Sequence, residues 1–98
     1  MIVATRTKDR ITIQGHAHYA EPGKDIVCAG VSALVQSFIR SVEELTADEF
    51  QYVAISPGMV DIKFGNLSEH AQLLMNSFFV GLGMIAETYP NNVKVTKH

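Results

Sequence analysis

The sequence predicts an α/β fold of the α+β kind, in which two helices pack on one face of a small sheet. Three observations lead to this prediction. Segments near residues 1–14, 52–64 and 93–96 alternate apolar with polar residues, as half-buried strands do. Two longer segments repeat apolar residues every three or four positions, as amphipathic helices do. The resulting order is ββαββαβ, which favours an antiparallel or mixed sheet in a single domain spanning residues 1–98.

The first two strands are predicted to form a hairpin. Residues 1–7 are rich in β-forming side chains, and a polar turn at residues 8–10 separates them from the next strand. In that strand Ile11 and Ile13 alternate with polar neighbours, which indicates one buried face. A polar loop over residues 17–24 then leads to the first helix.

Both helices have predicted boundaries. Asp25 can cap the first helix. Asn66 is expected to begin the second helix, because Glu69 follows three residues later as in a capping box, and Pro90 ends it. The predicted buried stripes comprise Val31, Leu34, Val35, Phe38, Val42 and Leu45 in the first helix, and Ala71, Leu74, Met75, Phe78, Leu82, Ile85 and Tyr89 in the second.

Three further strands are predicted. The third and fourth precede the second helix and are joined by a turn at residues 56–59, which contains a Pro-Gly pair. The fifth follows the second helix. Their alternating apolar residues are Val53 and Ile55, then Val60, Ile62 and Phe64, and finally Val93 and Val95.

Composition argues against several classes of function. The net charge is -2, and the eight Lys and Arg residues are spread along the sequence, so we expect no direct nucleic-acid binding. We expect no membrane segment, because no apolar run approaches the ~20 residues that a spanning helix needs. One cysteine cannot form an internal disulfide, which is typical of cytoplasmic proteins. No feature indicates a cofactor.

The single cysteine lies at a position suited to chemistry. If Asp25 caps the first helix, Cys28 falls in the first turn, at the positive end of the helix dipole. Helix N-termini and nearby cations lower the pKa of thiols, and the thiolate is the nucleophile. The N–H groups of that turn could also stabilise an oxyanion. From position alone, an inert cysteine between apolar neighbours is the commoner case.

Three residues are candidate partners of Cys28. His16 is either an ordinary strand-end residue or the base that takes the thiol proton and becomes a paired cation. Asp25 either caps the helix or orients His16 as the third member of a triad, and one carboxylate can do both. Ser32 lies four residues after Cys28, so the two share a helical face. There Ser32 either acts near the thiol or merely permits close packing.

Two interpretations compete with a cysteine enzyme. His16 and His18 would lie on one face of a continued strand and, with Cys28, could ligate a metal. We predict no metal site, because no further cysteine or carboxylate pair completes a tetrahedral set. Alternatively, the chain is a non-catalytic binding module that holds a partner protein without cutting it.

The segment "GHAHYAEPGKDIVCAGVSAL", residues 15–34, resembles the ribosomal-processing cysteine proteases called Prp. The matching elements are "GHA", the short glycine-containing loop and "DIVCAGVSAL", with histidine and cysteine twelve positions apart. The later segment "HAQLLMNSFFVGLGMIAETYPNNVKV" is similar in character to the C-terminal half of that family. Residues 46–65 match more weakly, and the loop departs from the family pattern at His18 and Tyr19.

The resemblance implies a homodimeric cysteine endopeptidase with Cys28 as the nucleophile and His16 as the proton acceptor. It implies that Asp25 and Ser32 are supporting residues. The loop lies between the two catalytic candidates, so we predict that it folds over the substrate. The loop residues that we expect to contact substrate include Ala17, His18, Tyr19 and Gly23.

The resemblance also implies a substrate. The family removes a short N-terminal extension from the twenty-seventh protein of the large ribosomal subunit, and it cleaves after a Phe in a short apolar motif. Related proteases process phage capsid or scaffold proteins. The resemblance therefore implies that the N-terminal segment of a ribosomal protein or of a capsid protein is the substrate.

Overall fold

The computed structural model describes residues 1–98 and contains two helices and one five-stranded sheet. This confirms the predicted order ββαββαβ. The strands are β1 (Ile2–Arg6), β2 (Arg10–Gln14), β3 (Tyr52–Ser56), β4 (Met59–Lys63) and β5 (Val93–Lys97), and the helices are α1 (Ile26–Leu45) and α2 (Glu69–Thr88).

The sheet is mixed, with strand order β3-β4-β2-β1-β5. All neighbouring pairs are antiparallel except β1 and β5, which are parallel because α2 carries the chain across to the far edge. Gln14 at the end of β2 pairs with Met59 at the start of β4. The end of β2 and the β3–β4 turn therefore lie together at one end of the sheet, which is the end that α1 begins from.

The core lies between the helices and one face of the sheet. Fully burying a large apolar side chain stabilises a fold by roughly 1.5–3 kcal/mol, so this layer dominates the stability. The other face of the sheet is largely polar, and on it the hydroxyls of Thr5 and Thr96 lie 3.0 Å apart. The helical residues in the core are Val27, Val31, Val35, Phe38 and Val42 from α1, and Ala71, Met75, Phe78, Phe79 and Leu82 from α2.

Two predicted helix details were wrong. Helix α2 is capped by Ser68 and not by Asn66, because the Ser68 side chain accepts the N–H of Ala71 at 3.2 Å. Asp48, which follows α1, in turn accepts the N–H of Ser68 at 2.7 Å and fixes this start. Leu45 was expected in the buried stripe, but it is the last residue of α1 and is 70% exposed.

Helix α1 has the length and composition of a membrane span. It has 20 residues, and its most apolar window has a mean hydropathy of 1.3. The expectation that no segment approaches this length was therefore too strict. The core helix of a globular domain passes the same test, and one face of α1 packs in the core through Val31, Val35 and Phe38.

Candidate active site

The start of α1 is fixed by Asp25, as predicted. Asp25 has extended backbone angles, and its Oδ1 accepts the N–H of Cys28 at 2.9 Å. Cys28 is therefore the third residue of the helix, and its side chain is partly buried. This geometry places the thiol beside the positive end of the helix dipole.

The same carboxylate also holds the preceding loop. Its Oδ2 accepts the N–H of Tyr19 at 3.0 Å and that of Ala20 at 3.4 Å. The hydrogen bond from Cys28, followed by those from the two loop residues, lowers the pKa of Asp25, although desolvation opposes them. Asp25 is thus ionised at neutral pH. It makes no hydrogen bond to His16, so it acts here as a cap and a loop anchor.

His16 lies just beyond β2 and its side chain is exposed. The ring makes an edge-on contact with His18, with 5.9 Å between their centroids. It also lies against Gly58 of the β3–β4 turn: a Cβ atom built on Gly58 would be 2.7 Å from Nε2 of His16. His18 has a φ of 53°, a left-handed conformation that is rare for residues other than glycine. The chain therefore leaves its extended course on both sides of His16, at Gly15 with a φ of 95° and at His18.

Two cavities meet at the candidate residues. The smaller one, of about 300 Å³, lies between α1 and the β3–β4 hairpin and is lined by Val31, Val35, Ile55 and Val60 among others. The larger one, of about 690 Å³, lies under the loop and is lined by residues that include Pro22, Lys24 and Asp25. The residues that line both cavities are His16, Cys28 and Ser32. All three were candidate site residues from the sequence, and the structure places them together where the two cavities meet.

Ser32 occupies the same face of α1 as Cys28, one turn later. Its side chain is exposed. Its hydroxyl makes no hydrogen bond within the chain, so it is free to bind a ligand at the junction of the two cavities.

The loop residues that were expected to contact substrate divide into two pairs. His18 and Gly23 line the larger cavity. Ala17 does not, since it is only 1% exposed and its carbonyl accepts a hydrogen bond of 2.9 Å from Asn92. Tyr19 packs edge-on against Tyr89, with 5.2 Å between the ring centroids. Ala17 and Tyr19 therefore anchor the loop in this conformation and do not face either cavity.

Two of the expected oxyanion donors at the helix start are already occupied. The N–H of Cys28 donates to the side chain of Asp25, and the N–H of Ala29 donates to the Asp25 carbonyl at 3.0 Å. This is a consequence of the cap, because a cap works by using those groups. An oxyanion at Cys28 therefore needs a donor outside this pair.

The geometry gives no support to the metal-binding interpretation. No group of three or more His, Cys, Asp or Glu side chains is placed to hold a metal ion.

Sequence reasoning missed the part that the β3–β4 hairpin plays. Ile55, Gly58 and Val60 wall the smaller cavity, but in the sequence they read only as strand and turn residues. Their relevance depends on the pairing of β2 with β4, for which the sequence holds no local signal.

Comparison with known proteins identifies the family. A family model described as cysteine protease Prp matches residues 1–94. The chain belongs to this family. It is 34% identical over 88 residues to the ribosomal processing cysteine protease Prp of Bacillus subtilis, covering 84% of this chain and 79% of the relative. The family membership that the motif predicted is confirmed.

Solved structures agree with the fold and with the enzyme class. The crystal structure of the essential ribosomal processing protease Prp from Staphylococcus aureus, with a covalently linked product peptide, superimposes with a TM-score of 0.94. The two chains are 27% identical, and each is covered over 100% of its length. The same protease with a substrate peptide gives a TM-score of 0.87 at 26% identity. The chain is therefore a cysteine protease.

Proposed function

We propose that this chain is an endopeptidase in which Cys28 is the nucleophile and His16 is the proton carrier. The observation that carries the proposal is the position of His16 and Cys28 on the boundary between the two cavities. A peptide that lies across this boundary would present one of its bonds to the thiol while both of its flanks remain bound.

In the first half of the reaction, His16 takes the thiol proton and the Cys28 sulfur attacks the scissile carbonyl carbon. The carbonyl π electrons move to oxygen as the S–C bond forms. When they return, the C–N bond breaks and His16 gives its proton to the leaving amine. In the second half, water attacks the thioester carbonyl while His16 accepts a proton from that water. The C–S bond then breaks, the new carboxyl end of the peptide leaves, and His16 returns the proton to the Cys28 sulfur.

Asp25 and Ser32 have supporting roles in this proposal. Asp25 fixes the helix start that carries Cys28 and ties it to the loop. Ser32 offers the free hydroxyl nearest in the helix to the thiol. It is suited to donate to the oxyanion, because the N–H groups of Cys28 and Ala29 are already engaged by Asp25. We expect Ser32→Ala to lower kcat by about 10²-fold, the cost of one oxyanion donor, with little change in KM. Equal kcat values in the two proteins would exclude this role.

The two cavities suit the two flanks of one substrate. The smaller cavity has apolar walls, including Val35 and Ile55, and would take an aromatic or aliphatic residue next to the cut. The larger cavity lies under the loop, where His18 and Gly23 would contact the other flank. As the substrate we propose the N-terminal extension of the twenty-seventh protein of the large ribosomal subunit, since the relatives are named ribosomal processing proteases.

We also propose that the chain acts as a homodimer in the cytoplasm. Leu73, Val80 and Met84 form an apolar stripe on the outer face of α2, and they are 66%, 64% and 63% exposed. A second copy of the chain could cover this stripe. Sedimentation of the chain beside its Val80→Glu variant tests the dimer, because a monomer in both samples would exclude it.

The first experiment is mass spectrometry of peptides incubated with the wild type and with Cys28→Ala. One peptide spans the extension of the ribosomal protein, and the other spans a phage capsid pro-segment. A single cut of the ribosomal peptide, made only by the wild type, is the expected result. A cut of the capsid peptide alone would move the substrate to the phage class. No cut in either, with an unreactive thiol, would favour a binding module.

A further inference from the structure

We propose that Gly58 is a positioning residue for His16, because the space left by its missing side chain holds the imidazole. The inference rests on the proposed role of His16 as the proton carrier. Gly58 belongs to the β3–β4 turn, which is distant in sequence from both catalytic candidates.

The His16 ring lies too close to Gly58 to leave room for a side chain there. A Cβ atom built on Gly58 would be 2.7 Å from Nε2, 3.2 Å from Cε1 and 3.4 Å from Cδ2 of His16. A real Cβ atom does not approach another heavy atom to within 3.0 Å. Any other residue at position 58 would therefore push the ring from its place.

The backbone of the turn cannot retreat to relieve this contact. The N–H of Gly15, next to His16, donates to the carbonyl of Gly58 at 2.9 Å. One residue away on each strand, Gln14 pairs with Met59. The ring is the free end of its side chain, so the ring is the part that would move.

No hydrogen bond within the chain fixes the His16 ring, and its nearest aromatic partner, His18, is 5.9 Å away between centroids. The close contact with Gly58 is therefore the feature that can restrict the ring. Gly58 also lines the smaller cavity together with His16 and Cys28, so a displaced ring would leave the surface at which the thiol lies.

The backbone of Gly58 offers a competing explanation, which has to be separated from the contact. Its φ is 75°, a conformation that glycine adopts without strain. Gly23 supplies the matched control, because its φ is 84° and a Cβ atom there would meet nothing within 4 Å. Gly23→Ala therefore carries the same kind of backbone strain without any contact to His16.

The test compares Gly58→Ala, Gly23→Ala, His16→Ala and the double variant Gly58→Ala/His16→Ala. The readouts are the unfolding temperature, the His16 ring resonances in NMR, and the rate of Cys28 alkylation by iodoacetamide across pH. We expect both glycine variants to unfold at a lower temperature. Only Gly58→Ala should shift the ring resonances and move the alkylation profile towards that of His16→Ala. The double variant should match His16→Ala. Peptide cleavage by Gly58→Ala should fall by about 10²-fold, the cost of a 1 Å misplacement.

Two results would overturn the inference: a folded Gly58→Ala that keeps the wild-type profile and resonances, or a Gly23→Ala that shifts both equally. If Gly58→Ala does not fold, Gly58→Asn replaces it, because asparagine adopts positive φ more readily and carries the same Cβ atom. If His16→Ala leaves the alkylation profile unchanged, the proposed catalytic pair fails. The ring resonances then still decide whether Gly58 holds the imidazole.

Discussion

Helices α1 and α2 each have 20 residues, and each begins with a polar side chain that accepts the N–H of the third helical residue. In α1 that residue is Cys28, which lines two cavities. In α2 it is Ala71, which is 0% exposed. The two helix ends offer the same dipole and the same capping hydrogen bond, although one cap is a carboxylate and the other a hydroxyl. These shared features do not by themselves make a reactive site. The difference lies in what surrounds the third residue.

The surroundings differ because each cap is tied to a different part of the chain. Asp25 holds a surface loop through Tyr19, and that loop leaves space above the thiol. Ser68 is itself held by Asp48, which follows α1, and the third residue of α2, Ala71, is buried in the core. The start of α1 thus differs from that of α2 because its cap anchors a loop and because Cys28 and His16 line the same two cavities.

The largest expected effect comes from moving the thiol between the two helix starts. Cys28→Ala should abolish peptide cleavage, because no other thiol is present. Adding Ala71→Cys to this variant should not restore cleavage or rapid alkylation, since the new thiol would be buried. Mass spectrometry of cleavage and of iodoacetamide labelling measures both. Rapid labelling of the thiol at position 71 would show that the helix end alone activates it.

The second largest effect is expected when the histidine near the start of α1 is removed and the result is compared with removal of the histidine near the start of α2. His16→Ala should lower kcat/KM by about 10²–10⁴-fold, the usual contribution of a general base. His70→Ala is the matched control, because His70 is an exposed residue of the first turn of α2. Steady-state cleavage of the same peptide compares the two. Equal losses in both variants would mean that His16 acts only through stability.

The third effect compares the caps themselves. Ser68→Ala should cost about 1 kcal/mol of stability, which is typical for an N-cap, and should leave Cys28 alkylation unchanged. Asp25→Ala should lower stability and also change alkylation, because it releases both the helix start and the loop. Chemical unfolding and alkylation kinetics measure the pair. Unchanged alkylation in Asp25→Ala would reduce Asp25 to an ordinary cap.

The smallest effect is a pH dependence. Asp25 has a pKa lowered first by the N–H of Cys28, so its contribution to stability is present at neutral pH. In the unfolded chain the pKa of an aspartate is about 4. The contribution to stability is therefore lost as the pH falls from about 4 through the lowered pKa of the folded state. Asp25→Asn should therefore flatten the loss of stability between about pH 5 and pH 2, as followed by urea unfolding.

Asp61 is the control for this measurement. Its pKa is also lowered, mainly by the hydrogen bond from Arg10 at the far end of the sheet. Asp61→Asn should flatten the same profile without affecting Cys28 alkylation, whereas Asp25→Asn should change both. A steep acid profile in Asp25→Asn would contradict the expected linkage.

Features that depend only on residues close together in the sequence could be predicted. The Asp25 cap and the α1 stripe follow from spacing within one helix, and both were confirmed except at Leu45, the exposed last residue of α1. Asn66 and Ser68 are both good caps, and the choice between them is made by Asp48, some twenty residues earlier. The strand order and the contact of Gly58 with His16 depend on pairing between distant strands. No local pattern encodes such pairing, so they could not be predicted.

The parallel pair β1–β5 has a consequence for synthesis. Ile2 pairs with Val93, so the first strand finds one of its partners only after residue 93 has been made. Ile2 also lines the smaller cavity. Such a long sequence separation slows folding, because a large loop must close before the contact forms. A nascent chain would therefore carry both His16 and Cys28 for some time before the cavity that they line has all of its walls.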